Sequence, residues 1–384
     1  MAYFARSDGM FDQQNLTLPG PSSVHSPRGD DGGEVFGSNG SSAAVSVGCE
    51  EHYDYYQPTE KWLLGVVALP FILCGLCANG MSVAIFSHRQ MRQQSVNWYL
   101  LVLGSSDLVV LLGAFFVLTL PRLSEILHCW SGTAISYYST PLMYSLMTMA
   151  QTTSVWMTVA MSLHRFIGVC FPYQSGTILA TRNVKSLIIG IIFAAVMFNG
   201  CRFFEVSFQV CWMKPIGVQL PVLRMTALRQ NELYRKVFYE WAYTLIMFVI
   251  PFTILIVVNS MVILAIHKSR KIHAKMNAHN DGIRKQELAK EISTSVMLVA
   301  IVIAFLLCNT LTFVVNLMEK LDLFELYVLL VPWSNMLVLC NASINICIYC
   351  IFSDRYRNLL FHYLHCCRRK GGDNTFNINS LSYL

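Results

Sequence analysis

The chain has 384 residues, 54% of them hydrophobic and only 13% charged, with a net charge of +6. A soluble domain carries about 25% charged residues, so burial in water alone does not account for this composition. The charges collect between long apolar blocks, the pattern of an integral membrane protein.

Residues 1–61 read as a tail, rich in Gly, Ser and Pro up to about Cys49, and they are expected to be disordered. No charged segment followed by a short apolar run opens the chain, so no cleaved signal peptide is expected. The tail carries two glycosylation sequons, Asn15-Leu16-Thr17 and Asn39-Gly40-Ser41. Glu50 to Tyr56 mixes acids with tyrosines and reads as solvated tail, with a ligand contact as the alternative.

A bilayer core of about 30 Å needs roughly 20 apolar residues in a helix. Blocks of that order run from Trp62 to Phe86, Trp98 to Leu120, Ile135 to Val169, Val184 to Phe204, Tyr239 to Ile266, Ile292 to Leu317 and Leu326 to Phe352. None alternates with period two over its length, so helices are the expected spanning form. The predicted fold is an all-α, seven-transmembrane helix bundle over residues 62–352, followed by a tail, 353–384. In that tail Tyr356, Leu359, Leu360 and Tyr363 recur at amphipathic spacing, which predicts a short helix lying on the membrane surface. Cys366 and Cys367 follow beside a basic cluster, a palmitoylation pattern.

Loop charge sets the orientation. Arg89 and Arg92, Arg182 and Lys185, and the bases from Lys268 to Lys290 and from Arg355 to Lys370 lie on one side, whereas the N-terminal tail is acidic. The positive-inside rule places the N-terminus outside and the C-terminus in the cytoplasm, at the plasma membrane. The stretch between the fourth and fifth blocks is also basic, but it follows after orientation is set. Cys49, Cys129 and Cys211 then fall on the oxidising side; Cys129–Cys211 is the favoured disulfide, with Cys49 left over or competing.

Polar residues at membrane depth are costly and seldom idle. The second block carries Asp107, the first Asn79, the third Ser154 and the Leu163-His164-Arg165-Phe166 run, and the seventh Asn341, Asn345 and Tyr349. One Asn or Ser can simply join two helices; the whole set needs more. Asn79, Asp107, Arg165, Pro251 and Asn345-Ile346-Cys347-Ile348-Tyr349 follow the order of landmarks in rhodopsin-like G-protein-coupled receptors, which the chain resembles from the first block to the amphipathic helix. Within that family it is most similar to invertebrate FMRFamide-type neuropeptide receptors, through Gln151 to Val159, Arg202-Phe203-Phe204-Glu205, Phe305 to Thr310 and Ser343-Ile344-Asn345.

The resemblance implies a receptor that couples an extracellular amidated neuropeptide to a heterotrimeric G protein, with membrane lipids and arrestin as further partners and no nucleic acid. It implies a ligand site among Tyr144, Met147, Thr148, Gln151, Glu205, Glu240, Tyr243, Phe313, Asn316 and Asn335. Glu205 and Glu240 would take a guanidinium, or else pair with Arg202 and Arg235. Asp107, Ser154, Asn341 and Asn345 match the family's sodium pocket, Na+ being an allosteric ion rather than a cofactor. His164, Arg165, Asn309, Asn345 and Tyr349 match its activation switch, with departures. His164 stands where an acid usually holds the arginine, Asn309 where the sixth helix has its tryptophan, and Ile346 replaces a proline. The third block lacks the usual outer cysteine, Thr140-Pro141 lying there instead. No cofactor fingerprint, metalloprotease motif or nucleophile elbow occurs, so no enzyme activity is expected. The rival classes are a receptor for a lipid or small odorant, and a transporter or channel, though no internal repeat is found.

Overall fold

The computed structural model describes residues 49–275 and 282–370, except Pro215 and Asp322. Asn15 and Asn39, and the side chains of Cys366 and Cys367, lie outside the described residues.

Backbone in lipid can satisfy its N–H and C=O groups only within its own helix. The apolar blocks accordingly form long helices: α1 (Pro58–Phe86), α2 (Val96–Ile126), α3 (Trp130–Cys170), α4 (Thr181–Phe204), α5 (Glu232–Lys268), α6 (Ile292–Lys320) and α7 (Phe324–Phe352). The α5 helix continues to Lys275 and α6 starts at Gly282, beyond the apolar stretch of each. The fifth helix therefore starts before the apolar block predicted from Tyr239. Arg235, Lys236 and Glu240 ride on π-helical turns, and their charge hides the helix from a hydropathy reading.

All but α3 are long and apolar enough, by length and composition alone, to cross a membrane. The exception has a physical reason. The α3 helix packs against α2, α4, α5 and α6, so much of its surface faces protein. Its buried face can then be rich in Ser and Thr, whose hydroxyls bond back to carbonyls one turn earlier, as in Thr140 to Ser136, Ser145 to Pro141 and Thr158 to Ser154. The approach of α2 is close: a Cβ on Gly113 would lie 2.8 Å from Met147 Cβ and 3.1 Å from the Met143 carbonyl.

At the far end from the start of α1, the core gathers Phe86, Tyr99, Met157, Met297, Tyr349 and Tyr356. The α8 helix (Asp354–Lys370) runs longer than its predicted amphipathic stretch. Tyr356 on it is 0% exposed and shares a hydrogen bond of 2.8 Å with Ser82 of α1. Burial pushes its phenol up to about 12, so it stays protonated at neutral pH.

Among the described residues, three strands depart from the all-helical expectation. Strands β1 (Glu50–His52), β2 (Val206–Lys214) and β3 (Val218–Met225) form a sheet in that order, with β1 parallel to β2 and Glu50 opposite Trp212. Period-two alternation over Val206, Phe208, Val210 and Trp212, closed by a turn with Gly217 at φ 67°, is the signal that marks the hairpin. The disordered tail expected for 1–61 is corrected at its end. Trp212 N–H donates to the Cys49 carbonyl at 2.9 Å and Tyr53 N–H to the Lys214 carbonyl at 2.8 Å, which orders 49–53, and α1 begins at Pro58.

That pairing also overturns the favoured disulfide. Cys49 bonds to Cys211, their Cα atoms 4.8 Å apart, and Cys129 is a free, exposed thiol. Strand register puts the first two side by side, a proximity that no sequence spacing reveals.

Candidate functional site

Helices alternate in direction, so the start of α1, α3, α5 and α7 shares one end with the close of α2, α4 and α6. A buried charge cluster occupies this end. At the close of α4, a 3-10 turn over Gly200–Phe204 places Arg202 inward at 0% exposure. Its Nε donates to Asn199 Oδ1 at 3.1 Å, and Nη1 donates to the hydroxyls of Tyr144 at 2.9 Å and Tyr239 at 3.0 Å. Four rings surround the guanidinium, those of Tyr239, Phe238, Tyr243 and Tyr144, with centroids 5.0, 5.2, 5.3 and 5.7 Å from its carbon.

The countercharge is Glu205, three residues on, with one oxygen 3.9 Å from Nη1. It is 1% exposed and accepts from the hydroxyls of Tyr234, at 2.5 Å, and Tyr239. Of the two roles open to Glu205, the structure shows the pairing with Arg202. Glu240 forms no ion pair with Arg235; it is half-buried, and Lys320 of α6 donates to its backbone carbonyl and, at 2.6 Å, to Thr244.

The other predicted ligand residues divide into two groups. Tyr144 and Tyr243 join the Arg202 cluster, while Met147, Thr148 and Gln151 continue down α3 below Tyr144. Thr148 bonds back to the Ser145 carbonyl at 2.9 Å. Across the bundle, Phe313 meets Phe248 at 5.6 Å, and Asn316 accepts from Thr244 at 2.8 Å. Asn335 of α7 is half-buried. Sequence reasoning named Arg202 only as a partner and missed Asn199, Phe238 and Tyr239. The signal was there: an Arg and a Glu three apart, at the end of an apolar helix, share one face.

A further buried set closes α1 against α2. Lys61 pairs with Glu125 at 2.6 Å, Arg122 with Glu60 at 3.5 Å, and Arg122 lies 4.4 Å from the Tyr56 ring centre. These acids are engaged by the protein itself.

Midway through the bundle, Asp107 of α2 is 1% exposed. One oxygen accepts from Ser154 at 3.1 Å and the other from Asn345 at 2.8 Å, tying α2 to α3 and α7. Asn341, one turn before Asn345, is half-buried and makes no hydrogen bond to Asp107. Asp107 thus brings one negative charge, faced by a hydroxyl and an amide nitrogen that both donate to it, and among the described residues no cluster of three or more His, Cys, Asp or Glu that could hold a metal ion is found. Asn79 ties α1 to α7 through the Ala342 carbonyl at 2.7 Å.

Toward the far end lie the predicted switch residues. The His164 ring meets Tyr99 edge-on at 5.6 Å, and both of its nitrogens are buried without a hydrogen bond. Tyr349 packs on Phe86 at 5.1 Å and Tyr356 at 5.3 Å, with its hydroxyl buried and unpartnered. Asn309 bonds back to the Phe305 carbonyl at 2.8 Å within α6. Asn259 reaches from α5 to Ser162 of α3 at 3.1 Å.

The family described as 7 transmembrane receptor (rhodopsin family) matches residues 78–349. The chain is 26% identical over 319 residues to the FMRFamide receptor of Drosophila melanogaster, covering 80% of this chain and 55% of that one. To the probable G-protein coupled receptor frpr-1 of Caenorhabditis elegans it is 29% identical over 355 residues, covering 85% and 87%. To the FMRFamide peptide receptor frpr-18 of the same organism it is 29% identical over 323 residues, covering 79% and 70%. The landmark residues thus sit in one helix bundle whose match spans α1 to α7, and the chain belongs to the rhodopsin family of seven-transmembrane receptors.

Proposed function

We propose that the chain is a receptor for an amidated neuropeptide of the Arg-Phe-amide type, and that binding outside the cell activates a heterotrimeric G protein inside. The observation that carries this is the similarity, over most of the chain, to receptors named for FMRFamide. The cluster of rings and charges where α3, α4 and α5 meet supports it, because a peptide with an aromatic end and a guanidinium needs ring faces and an acid. Glu205 is occupied by Arg202, so in this reading Glu240, which also lies beside Lys320, is the acid that meets the ligand's arginine. In this reading the acidic tail faces outward and the basic loops face the cytoplasm. A calcium or cyclic-AMP response in cells expressing the full chain, challenged with amidated peptides, tests it; silence across Arg-Phe-amide peptides at verified surface expression would sink it.

Agonist shifts the balance of states only by its differential affinity for them. Arg165 and Tyr349 form the inner switch, and His164, unlike an acid at that position, brings no carboxylate beside Arg165. His164→Asp is expected to lower ligand-independent signalling about fivefold, the shift that roughly 1 kcal/mol of resting ion pairing produces. Equal basal signalling at matched expression would remove that role.

Asp107, Ser154 and Asn345 would hold a sodium ion that favours the resting state, with the Asp107 carboxylate supplying the countercharge. Asp107→Asn keeps the side chain's size and removes the charge. It is expected to abolish the several-fold loss of agonist affinity between sodium-free and about 0.15 M sodium buffers that roughly 1–2 kcal/mol of coupling gives. Persistent sodium dependence would place the ion elsewhere.

A further inference from the structure

Arg202 has one donor group left over among the described residues. Nε and Nη1 are engaged, by Asn199 and by Tyr144 and Tyr239, but Nη2 is buried with no hydrogen-bond partner among them. A guanidinium presents its donors in a fixed fork, so Nη2 cannot turn to share a neighbour's acceptor. A charged donor left unmatched in a low-dielectric interior is costly, and native structures rarely keep one idle. The surroundings narrow what can complete it. Glu205 already supplies the negative charge, and the rings of Tyr144, Phe238, Tyr239 and Tyr243 form the walls. Two of these wall residues, Tyr144 and Tyr243, belong to the predicted ligand set.

We propose that Nη2 of Arg202 is the docking point for a carbonyl oxygen of the ligand, the C-terminal carboxamide of an amidated peptide, and that Glu205 makes this site select the amide over the free acid. The inference rests on the peptide reading above and names the group recognised. An amide carbonyl brings an acceptor dipole and no net charge, so it completes the fork without disturbing the neutral Arg202–Glu205 pair. A carboxylate would bring a second negative charge beside Glu205, in a medium where like charges repel strongly. The ring faces receive the adjacent terminal aromatic side chain. Phe238 and Tyr239, which help cover the guanidinium, stand on the π-helical turns Arg235–Ala242 of α5. Irregular turns of this kind are common at functional sites, and rewinding these turns exposes Nη2 to the peptide.

The test uses the full chain in cell membranes, with Phe-Met-Arg-Phe-amide, its free acid, and its C-terminal methyl ketone as competing probes. The wild type is expected to bind the amide about 10- to 100-fold more tightly than the acid, because the acid's carboxylate is repelled by Glu205. The methyl ketone keeps the carbonyl and loses the amide N–H groups, and it should stay within about threefold of the amide. Glu205→Gln unbalances the arginine, so the acid should gain and the amide-to-acid ratio fall at least about tenfold. Arg202→Lys keeps the charge but not the fork, and should weaken the amide about tenfold. A merely structural role for the pair would lower all three probes together. A ketone as weak as the acid, or an unchanged ratio in Glu205→Gln, overturns the assignment. If Glu205→Gln fails to reach the surface, the wild-type ketone series decides alone. A chain that binds no Arg-Phe-amide peptide overturns the receptor reading and this inference together, whereas an unchanged ratio in a receptor that binds the amide overturns only the inference.

Discussion

Replacing Cys49 by serine is expected to remove most of the receptor from the cell surface, Cys211→Ser to do the same, and Cys129→Ser to leave it near wild type. Cys49 and Cys211 close a loop with a sequence separation of 162 residues. Chain-entropy reasoning gives an upper limit of about 5 kcal/mol for such a link. Helices already inserted in a bilayer confine the unfolded reference, so about 2–4 kcal/mol is the expected loss. Without the link, β1 is a strand of three residues held by few backbone bonds, too little to stay ordered. Surface labelling of the three variants reads the effect, and non-reducing peptide mapping reads the cause. A recovered Cys129–Cys211 peptide would return the pairing to the one that loop positions favoured.

Arg202→Ala should lower the thermal midpoint of the purified receptor on the order of 10 °C, from a loss of about 3–5 kcal/mol. The cost is not the ion pair's own worth. Deleting the guanidinium strands a carboxylate at 1% exposure, with only the hydroxyls of Tyr234 and Tyr239 to hold it. It also removes the bonds that run from α4 to Tyr144 of α3 and Tyr239 of α5. The double replacement Arg202→Met with Glu205→Leu removes both charges while keeping apolar volume, and should recover more than half of the loss. If the single and double variants melt together, packing of the arginine stem rather than charge pairing carries the stability.

How much of this was legible differs from residue to residue. Asp107, Ser154 and Asn345 were read as a set, and the structure joins them, because an acid in an apolar block must find polar company and helical spacing limits where that company stands. Asn341 was read with them by its place one turn earlier, and it makes no hydrogen bond to Asp107. Glu205 had two roles open and Glu240 the same two. The Arg202–Glu205 pair spans three residues on a helical turn, whereas Glu240 lies beside Lys320, 80 residues away, which no local pattern reveals. The hairpin of β2 and β3 was written in alternating residues but overlooked beside the stronger helical signal. The α3 helix shows the converse: hydropathy understates it because its neighbours are protein.

Sequence by itself determined that this chain is a bundle of membrane helices with its polar landmarks at defined depths. That follows because the bilayer leaves few options to an apolar block and penalises every misplaced charge. Only the tertiary structure decided which cysteine pairs with Cys211, which acid answers Arg202, and which of its donors is left over. Those choices depend on strand register and on contacts between helices, which are set by packing across the fold and not by spacing along the chain.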